Sequence, residues 1–260
     1  MRHLWIVGVG AGDPRGLTME AAEAIARADV FVVLDKGGPS DELAALRHEL
    51  LDRHARPNAH RVLEIPDTTR DVSLDYRESV RRWHRQRVND IEAAIATQIG
   101  EDEVGAMLVW GDPAVYDSTI RVVEQILERH AVRFDFTVIP GISSIQLLCA
   151  RHRITLNRIG RSVLMTTGRL LQSGAPDGVD DIVVLLDAAT TFTRFVGQGY
   201  EIFWGAYLGT PDEILIAGPL DDTSTEIVEA RAAARARKGW VFDTYLLRRI
   251  EQPSSATVIG

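Results

Sequence analysis

The chain reads as an α/β protein whose first half builds a mainly parallel sheet and whose second half builds a mixed one. Three observations predict this. Short apolar runs alternate with longer amphipathic stretches from the N-terminus onward, the rhythm of strand–helix–strand units and hence of a parallel sheet. Several runs end in loops such as Gly10-Ala11-Gly12-Asp13-Pro14 and Gly111-Asp112-Pro113, the kind of turn found where α/β sheets hold ligands, at the carboxyl ends of strands. Late in the chain, Ile202–Leu208 and Glu213–Ala217 follow each other so closely that an antiparallel pair is favoured.

At 260 residues, 45% hydrophobic and 25% charged, the chain can bury a proper core as one large domain or two of modest size. Its formal net charge of -8 argues against nucleic acid as a partner, since such proteins carry a basic balance. The single cysteine, Cys149, allows no internal disulfide and points to a reducing compartment. It lies in the apolar run Ile145–Ala150 and reads as an inert core thiol rather than a nucleophile. No signal-peptide pattern precedes the first strand, and no apolar run approaches the ~20 residues of a membrane span. The expected location is the cytoplasm, with no membrane partner. The seven histidines do not cluster, and there is no zinc spacing, P-loop or Gly-x-Ser-x-Gly elbow, so metal catalysis is not expected.

In chain order, Leu4–Val9 is a strand, and Thr18 caps a helix carrying Ala21, Ala22, Ile25 and Ala26 on one face. The loop between them invites a dinucleotide-binding reading. The last glycine of G-x-G-x-x-G is missing, however, and Asp13 stands where a pyrophosphate would dock, where a carboxylate repels it. Val30–Leu34 is the second strand, followed at the same sheet edge by Asp35-Lys36-Gly37-Gly38. Ser40 or Asp41 caps a helix towards His54, and Arg61–Ile65 is a third strand. A long helix spans Asp75–Ile99, with Tyr76, Val80, Trp83, Val88, Ile91, Ile95 and Ile99 for its apolar side. On it Arg77, Arg81 and Arg85 recur at four-residue spacing, which makes either a solvated face or a grip for carboxylates.

Val104–Val109 is a buried strand and Asp117–His130 an amphipathic helix. In the loop between them Gly111 lets a ligand approach the backbone, Asp112 offers a fixed acceptor, and Tyr116 offers a flat surface with a polar tip. The same residues also suit a plain strand-to-helix turn capped by Asp117 or Ser118. Phe134–Ile139 is the next strand; Pro140-Gly141-Ile142-Ser143-Ser144 ends it and opens a helix, with the serines as caps or as ligand contacts. From Phe136 to Pro176 there is no acidic residue, while Arg151, Arg153, Arg158, Arg161 and Arg169 fall within that stretch. These arginines either face an anionic small molecule or pair with carboxylates from elsewhere. Ser162–Met165 and Asp181–Leu186 read as strands, Thr190–Val196 as a short helix, Asp221–Ala236 as a helix and Trp240–Leu246 as the last strand. The tail from Glu251, rich in Ser and Pro, reads as disordered.

Together the loops make the chain similar to the tetrapyrrole methylase family, the methyltransferases of uroporphyrinogen and precorrins. Four stretches carry the likeness in order: Val7-Gly8-Val9-Gly10-Ala11-Gly12-Asp13-Pro14 with Leu17-Thr18, Gly111-Asp112-Pro113 with Tyr116, Pro140-Gly141-Ile142-Ser143-Ser144, and Leu208-Gly209-Thr210-Pro211-Asp212-Glu213. Others, including Leu34-Asp35-Lys36-Gly37, Trp204-Gly205-Ala206-Tyr207 and Asp243-Thr244-Tyr245-Leu246-Leu247-Arg248-Arg249, resemble the branch that methylates precorrin-5 at C-1 with loss of acetate. The resemblance implies two α/β domains, 1–139 and 140–250, and a cleft between them for S-adenosylmethionine, with S-adenosylhomocysteine as product. It also implies a homodimer. Carried over by position, the cofactor contacts are Ala11, Trp110, Gly111, Asp112, Val115, Tyr116, Ser143, Ser144 and Gly209. Leu186 or Asp187 stands where the family often places a methionine beside the adenine. Asp35 is the nearest counterpart of an aspartate that acts as a base in some relatives, and Asp112 is the second candidate. The substrate implied is an anionic tetrapyrrole, to which Arg151, Arg153 and Arg158 offer charge-assisted pairs. The alternatives are a methylase of the same fold with another acceptor, a nicotinamide-dependent oxidoreductase, and a non-catalytic tetrapyrrole binder.

Overall fold

The computed structural model describes residues 1–35, 41–66 and 75–250, so the Lys36-Gly37-Gly38 stretch, the cap candidate Ser40 and the tail from Glu251 lie outside the described residues. Two units divide the chain, Met1–Ser143 and Ser144–Gly260. In the first, the expected alternation becomes β1 (His3–Gly8), α1 (Met19–Arg27), β2 (Val30–Asp35), α2 (Asp41–His54), β3 (Arg61–Pro66), α3 (Tyr76–Gln98), β4 (Val104–Val109), α4 (Thr119–Glu128) and β5 (Asp135–Ile139). The sheet order is β3-β2-β4-β1-β5, parallel throughout.

Successive side chains of a strand point to opposite faces, and both faces here are apolar. Leu4 and Ile6 of β1 join Met107 and Val109 of β4 against Val88, Ile91 and Ile95 of α3 and Val122 and Val123 of α4. Val7, Phe31, Ala106 and Leu108 meet Ala21, Ala24 and Ile25 of α1 and Leu46 and Leu50 of α2. Helices thus cover both faces, as a parallel sheet requires. The Thr18 hydroxyl accepts the Ala21 N–H and starts α1. At α4 the Asp117 carboxylate accepts the Thr119 N–H at 2.6 Å, while the Ser118 side chain makes no cap bond.

The second unit holds α5 (Ser144–His152), β6 (Val163–Thr167), α6 (Gly168–Leu171), β7 (Asp181–Leu185), β8 (Tyr200–Ala206), β9 (Ile214–Pro219), α7 (Leu220–Lys238) and β10 (Asp243–Arg249). Its order is β6-β7-β10-β8-β9; β6 and β7 are parallel and the other pairs antiparallel. Ile182, Val184, Ile202, Trp204, Tyr245 and Leu247 pack against Leu220, Ile227 and Ala234 of α7. A Cβ on Gly205 would lie 2.9 Å from Leu148 Cδ1, so the missing side chain lets α5 approach the sheet.

The last strand starts later than its hydropathy suggests. Trp240, Val241 and Phe242 are apolar, yet they form the turn after Gly239 caps α7, with Trp240 edge-on to Tyr207 and Phe242. Arg248 and Arg249 belong to the strand despite their charge, because Asp181, fully buried, accepts Arg248 Nε at 2.8 Å and Tyr200 accepts Arg249 Nη2 at 2.8 Å. Breaking such a buried pair costs ~3–5 kcal/mol. The four-residue helix α6, capped by Thr167, is too short to show a period and was not expected.

His152 gives the second unit a pH dependence. Its Nε2 lies 3.0 Å from the Trp204 carbonyl, which can only accept, so Nε2 carries the hydrogen. Burial holds its pKa below the usual 6.5, outweighing the raising effects of that bond and of Glu213. On falling pH the unfolded chain therefore takes up its proton first, and stability is lost as pH drops through the ordinary histidine range. His84, also lowered mainly by burial, acts with the same sign. The urea-unfolding free energy is expected to fall from about pH 7.5 to about pH 5.5, and less steeply in His152→Asn. An equal slope in the variant removes His152 from the account.

Candidate functional site

The chain leaves β1 through α1 on one face of the first sheet and leaves β4 through α4 on the other. Adjacent strands whose connections diverge open a crevice at their carboxyl ends, the place where α/β sheets bind ligands. Here the two loops are tied together. Val9 N–H donates to the Val109 carbonyl at 2.9 Å, and Gly10 and Gly111 then exchange backbone bonds of 3.2 and 2.8 Å as an antiparallel bridge. Both glycines have left-handed φ, +80° and +70°, which a side chain would strain.

Asp112 brings in the loop after β5. Its Oδ2 accepts the Gly141 N–H at 2.9 Å and its Oδ1 the Ala114 N–H at 2.8 Å. The seam leaves no room for a side chain. A Cβ on Gly141 would sit 2.2 Å from the Gly111 carbonyl oxygen, and one on Gly8 would sit 2.5 Å from the Gly141 nitrogen. The sequence reading did not assign Gly8 and Gly141 a role, because nothing local tells which loops will touch. Gly111 differs: it is buried, yet the nearest atom to its Cβ direction is Ser143 Cα at 3.9 Å. Gly10, Ala11, Gly111 and the buried Ser143 gather at this end of the sheet.

Around them, Trp110 packs on the core shared with α1 and α2, and Val115 N–H closes the turn onto the Asp112 carbonyl at 3.0 Å. Tyr116 adopts φ 51° and stays 43% exposed, with its phenol pKa raised by partial burial. Backbone strain of this kind costs ~1–3 kcal/mol and collects at functional sites. Asp13 is turned back on its own loop, accepting from the Arg15 N–H and guanidinium. Asp35 ends β2, beside β4 at the same edge; its side chain lies outside the described residues.

In the second unit the loop after β7 rests on a buried polar network. Asp187, 3% exposed, accepts from Ala189 N–H and Thr191 Oγ1 on one oxygen, and from Thr191 N–H and the Tyr245 hydroxyl on the other. Burial and the Asp187 carboxylate push the Tyr245 pKa far up, so the phenol keeps the proton it donates. Arg231 of α7 donates to the Asp187 carbonyl at 2.6 Å and to Asp243 Oδ2 at 3.0 Å, which Trp204 Nε1 also reaches at 3.0 Å. Burial raises the Asp243 pKa, and the Arg231 charge opposes it. On this base Leu186 adopts φ 54° and is 57% exposed. Of the two residues expected beside an adenine, Asp187 is taken up by internal donors and Leu186 is exposed.

Gly209 has φ +81° and gives its N–H to Glu213 Oε2 at 2.7 Å. Ser144, the first residue of α5, accepts from Thr244 Oγ1 at 2.9 Å. Of the five arginines in the acid-free stretch, Arg151, Arg158 and Arg161 pair with carboxylates from elsewhere in the chain. Glu213 also takes Arg151 Nε, Asp181 takes Arg158, and Asp180 takes Arg161. Arg153 is exposed and makes no side-chain bond among the described residues. Cys149 is half-buried, with its pKa raised by burial. Among the described residues no group of three His, Cys, Asp or Glu could hold a metal, and no helix is long and apolar enough to cross a membrane.

The model of the tetrapyrrole (corrin/porphyrin) methylases matches residues 3–224. The chain is 44% identical over 250 residues, 96% of each chain, to precorrin-6A synthase (deacetylating) of Sinorhizobium sp.. It is 25% identical over 215 residues to the uroporphyrinogen-III C-methyltransferase of Cyanidium caldarium, covering 77% of this chain and 75% of that one. Among solved structures, a putative cobalamin synthesis related protein (CobF) of Corynebacterium diphtheriae superposes with a TM-score of 0.84 at 35% identity, covering 96% of this chain and all of that one. The uroporphyrin-III C-methyltransferase of Thermus thermophilus, solved with S-adenosylhomocysteine, shares the fold with a TM-score of 0.58 at 20% identity, covering 95% and 97%.

If the seam is as tight as the geometry requires, Gly141→Ala should destabilise the protein by ~1–3 kcal/mol in urea unfolding. Gly16→Ala, whose Cβ meets nothing within 4 Å, should stay within ~0.5 kcal/mol of the parent. Equal stabilities of the two variants would contradict the packing described.

Proposed function

This chain belongs to the tetrapyrrole (corrin/porphyrin) methylases, and we propose that it methylates precorrin-5 at C-1 from S-adenosylmethionine and releases the acetyl group as acetate. The observation that carries this reading is the likeness to a precorrin-6A synthase along nearly the whole chain. The first unit's geometry supports it. A buried glycine pair, next to Ala11 and with only Ser143 Cα, at 3.9 Å, in the Cβ direction of Gly111, suits the close backbone approach of an adenosyl group.

When bound, S-adenosylmethionine supplies an activated sulfonium methyl group. The chain's own task is then to hold two reactants in line, which can supply ~7–11 kcal/mol of the barrier. Ala11, Trp110, Gly111, Val115, Tyr116, Ser143 and Ser144 are assigned to the donor. Leu186, for its adenine, and Gly209 are assigned by the resemblance alone. Asp112 acts by keeping the three loops joined. Asp35 is the proposed base for the second step: it takes a proton as water adds to the acetyl carbonyl. The carbon–carbon bond to the ring then breaks, its electron pair passes to the macrocycle, and acetate leaves. Arg153 remains available for a substrate carboxylate, whereas Arg151 and Arg158 hold internal partners. A cytoplasmic homodimer is proposed on the single cysteine and on the resemblance.

With precorrin-5 and methyl-labelled S-adenosylmethionine, mass spectrometry should find one labelled methyl gained and one acetyl lost. Methyl gain with the acetyl retained would reassign the acceptor within the family. Calorimetry should detect S-adenosylhomocysteine binding, weakened at least about tenfold (~1.4 kcal/mol) in Gly111→Arg; undiminished affinity would remove the glycine loop from the donor site. Asp35→Asn should slow acetate release, and full release would dismiss it as the base.

A further inference from the structure

Two of the three arginines assigned to the substrate are held by internal carboxylates, but another set stands open in the first unit. α3 runs against the strands, from the carboxyl end of β3 back to the amino end of β4. At ~1.5 Å per residue, the segment from Arg87 to Gln98 covers about 16 Å, and the six residues of β4 cover about the same. Arg87 is therefore level with the end of β4, and the turns before it overhang the edge that carries the donor loops. Packing agrees. The first described α3 side chain in the apolar core is Val88, and Arg87 Nη1 donates to Ser118 Oγ, just before α4, at 3.2 Å.

Arg81, Arg82 and Arg85 on the overhang are exposed, and their three- and four-residue spacings put them on one face. None makes a hydrogen bond or ion pair among the described residues. The exposed Glu78 is the nearest carboxylate on that face by sequence. The Arg87 guanidinium lies 4.0 Å from the Trp83 ring centre, and Arg121 of α4 adds a further exposed cation. Arg87 and Arg121 both add to the burial that lowers the His84 pKa, so the local field is positive although the chain carries a net charge of -8.

We infer that Arg81, Arg82 and Arg85 form the surface that receives the peripheral carboxylates of the tetrapyrrole substrate. The inference rests on the substrate class proposed above. A helix presents the three guanidiniums at fixed spacing, and each can take a carboxylate through two parallel hydrogen bonds. The position beside the Gly111 loop would hold the macrocycle against the donor while leaving the donor's own contacts untouched.

The test is the triple variant R81Q/R82Q/R85Q, which removes the charges and keeps helix propensity. R194Q/R235Q, which removes two exposed arginines of the second unit, is the control. The probes are precorrin-5 turnover, quenching titration with uroporphyrin III as a stable polycarboxylate tetrapyrrole, and calorimetry with S-adenosylhomocysteine. The triple variant should raise KM and weaken uroporphyrin binding by at least about tenfold, with kcat and S-adenosylhomocysteine affinity within about twofold, and its tetrapyrrole binding should depend less on salt. Lysines at the three positions should restore part of the affinity. Unchanged KM and uroporphyrin affinity, or an equal loss in the control, overturns the assignment. If the parent binds S-adenosylhomocysteine but neither uroporphyrin nor precorrin-5, the substrate reading itself fails, and this surface falls with it.

Discussion

The first unit depends on a contact between backbones. Three loops, after β1, β4 and β5, meet with their main chains in close approach, because a Cβ at Gly8 or Gly141 would run into backbone atoms of the neighbouring loop. The mutual bonds of Gly10 and Gly111 satisfy polar groups that the end of the parallel ladder would otherwise leave unpaired. Asp112 fixes the third loop through a charge-capable acceptor on a backbone N–H. An edge closed in this way has little freedom to rearrange, and that suits a reaction governed by placement.

The second unit reaches a similar end by another route. Its loop after β7 is held by side chains: Asp187 with four donors, and Arg231 bridging the Asp187 carbonyl and Asp243. A buried network of this kind is favourable only when every member is satisfied. A Cβ on Gly168 would sit 2.3 Å from Asp187 Oδ1, so the carboxylate also depends on a glycine beside it. The network keeps Leu186 in a left-handed conformation with its side chain outward.

Charge is distributed by the same logic. The acid-free stretch supplies arginines that hold the second unit together through Asp180, Asp181 and Glu213. The overhanging turns of α3 carry exposed cations on a protein that is acidic overall. A local positive field within a negative whole favours an anionic small molecule over a polyanionic nucleic acid.

Hydropathy and turn chemistry were enough to locate the strands and most helices, because period and punctuation are local properties: Val104–Val109 has the same limits in both, and Thr18 starts α1 as read. The family was legible as well, through short loop motifs kept in order. Two kinds of information were not. One was which loops touch, since the 2.2 Å that excludes a side chain at Gly141 is set by Gly111, thirty positions away. The other was which charges are already engaged. Arg151 and Arg81 look alike in the chain, but folding brings Glu213 to the first and leaves the second in solvent. Partners distant in sequence decide such matters, and only the packed chain brings them within reach.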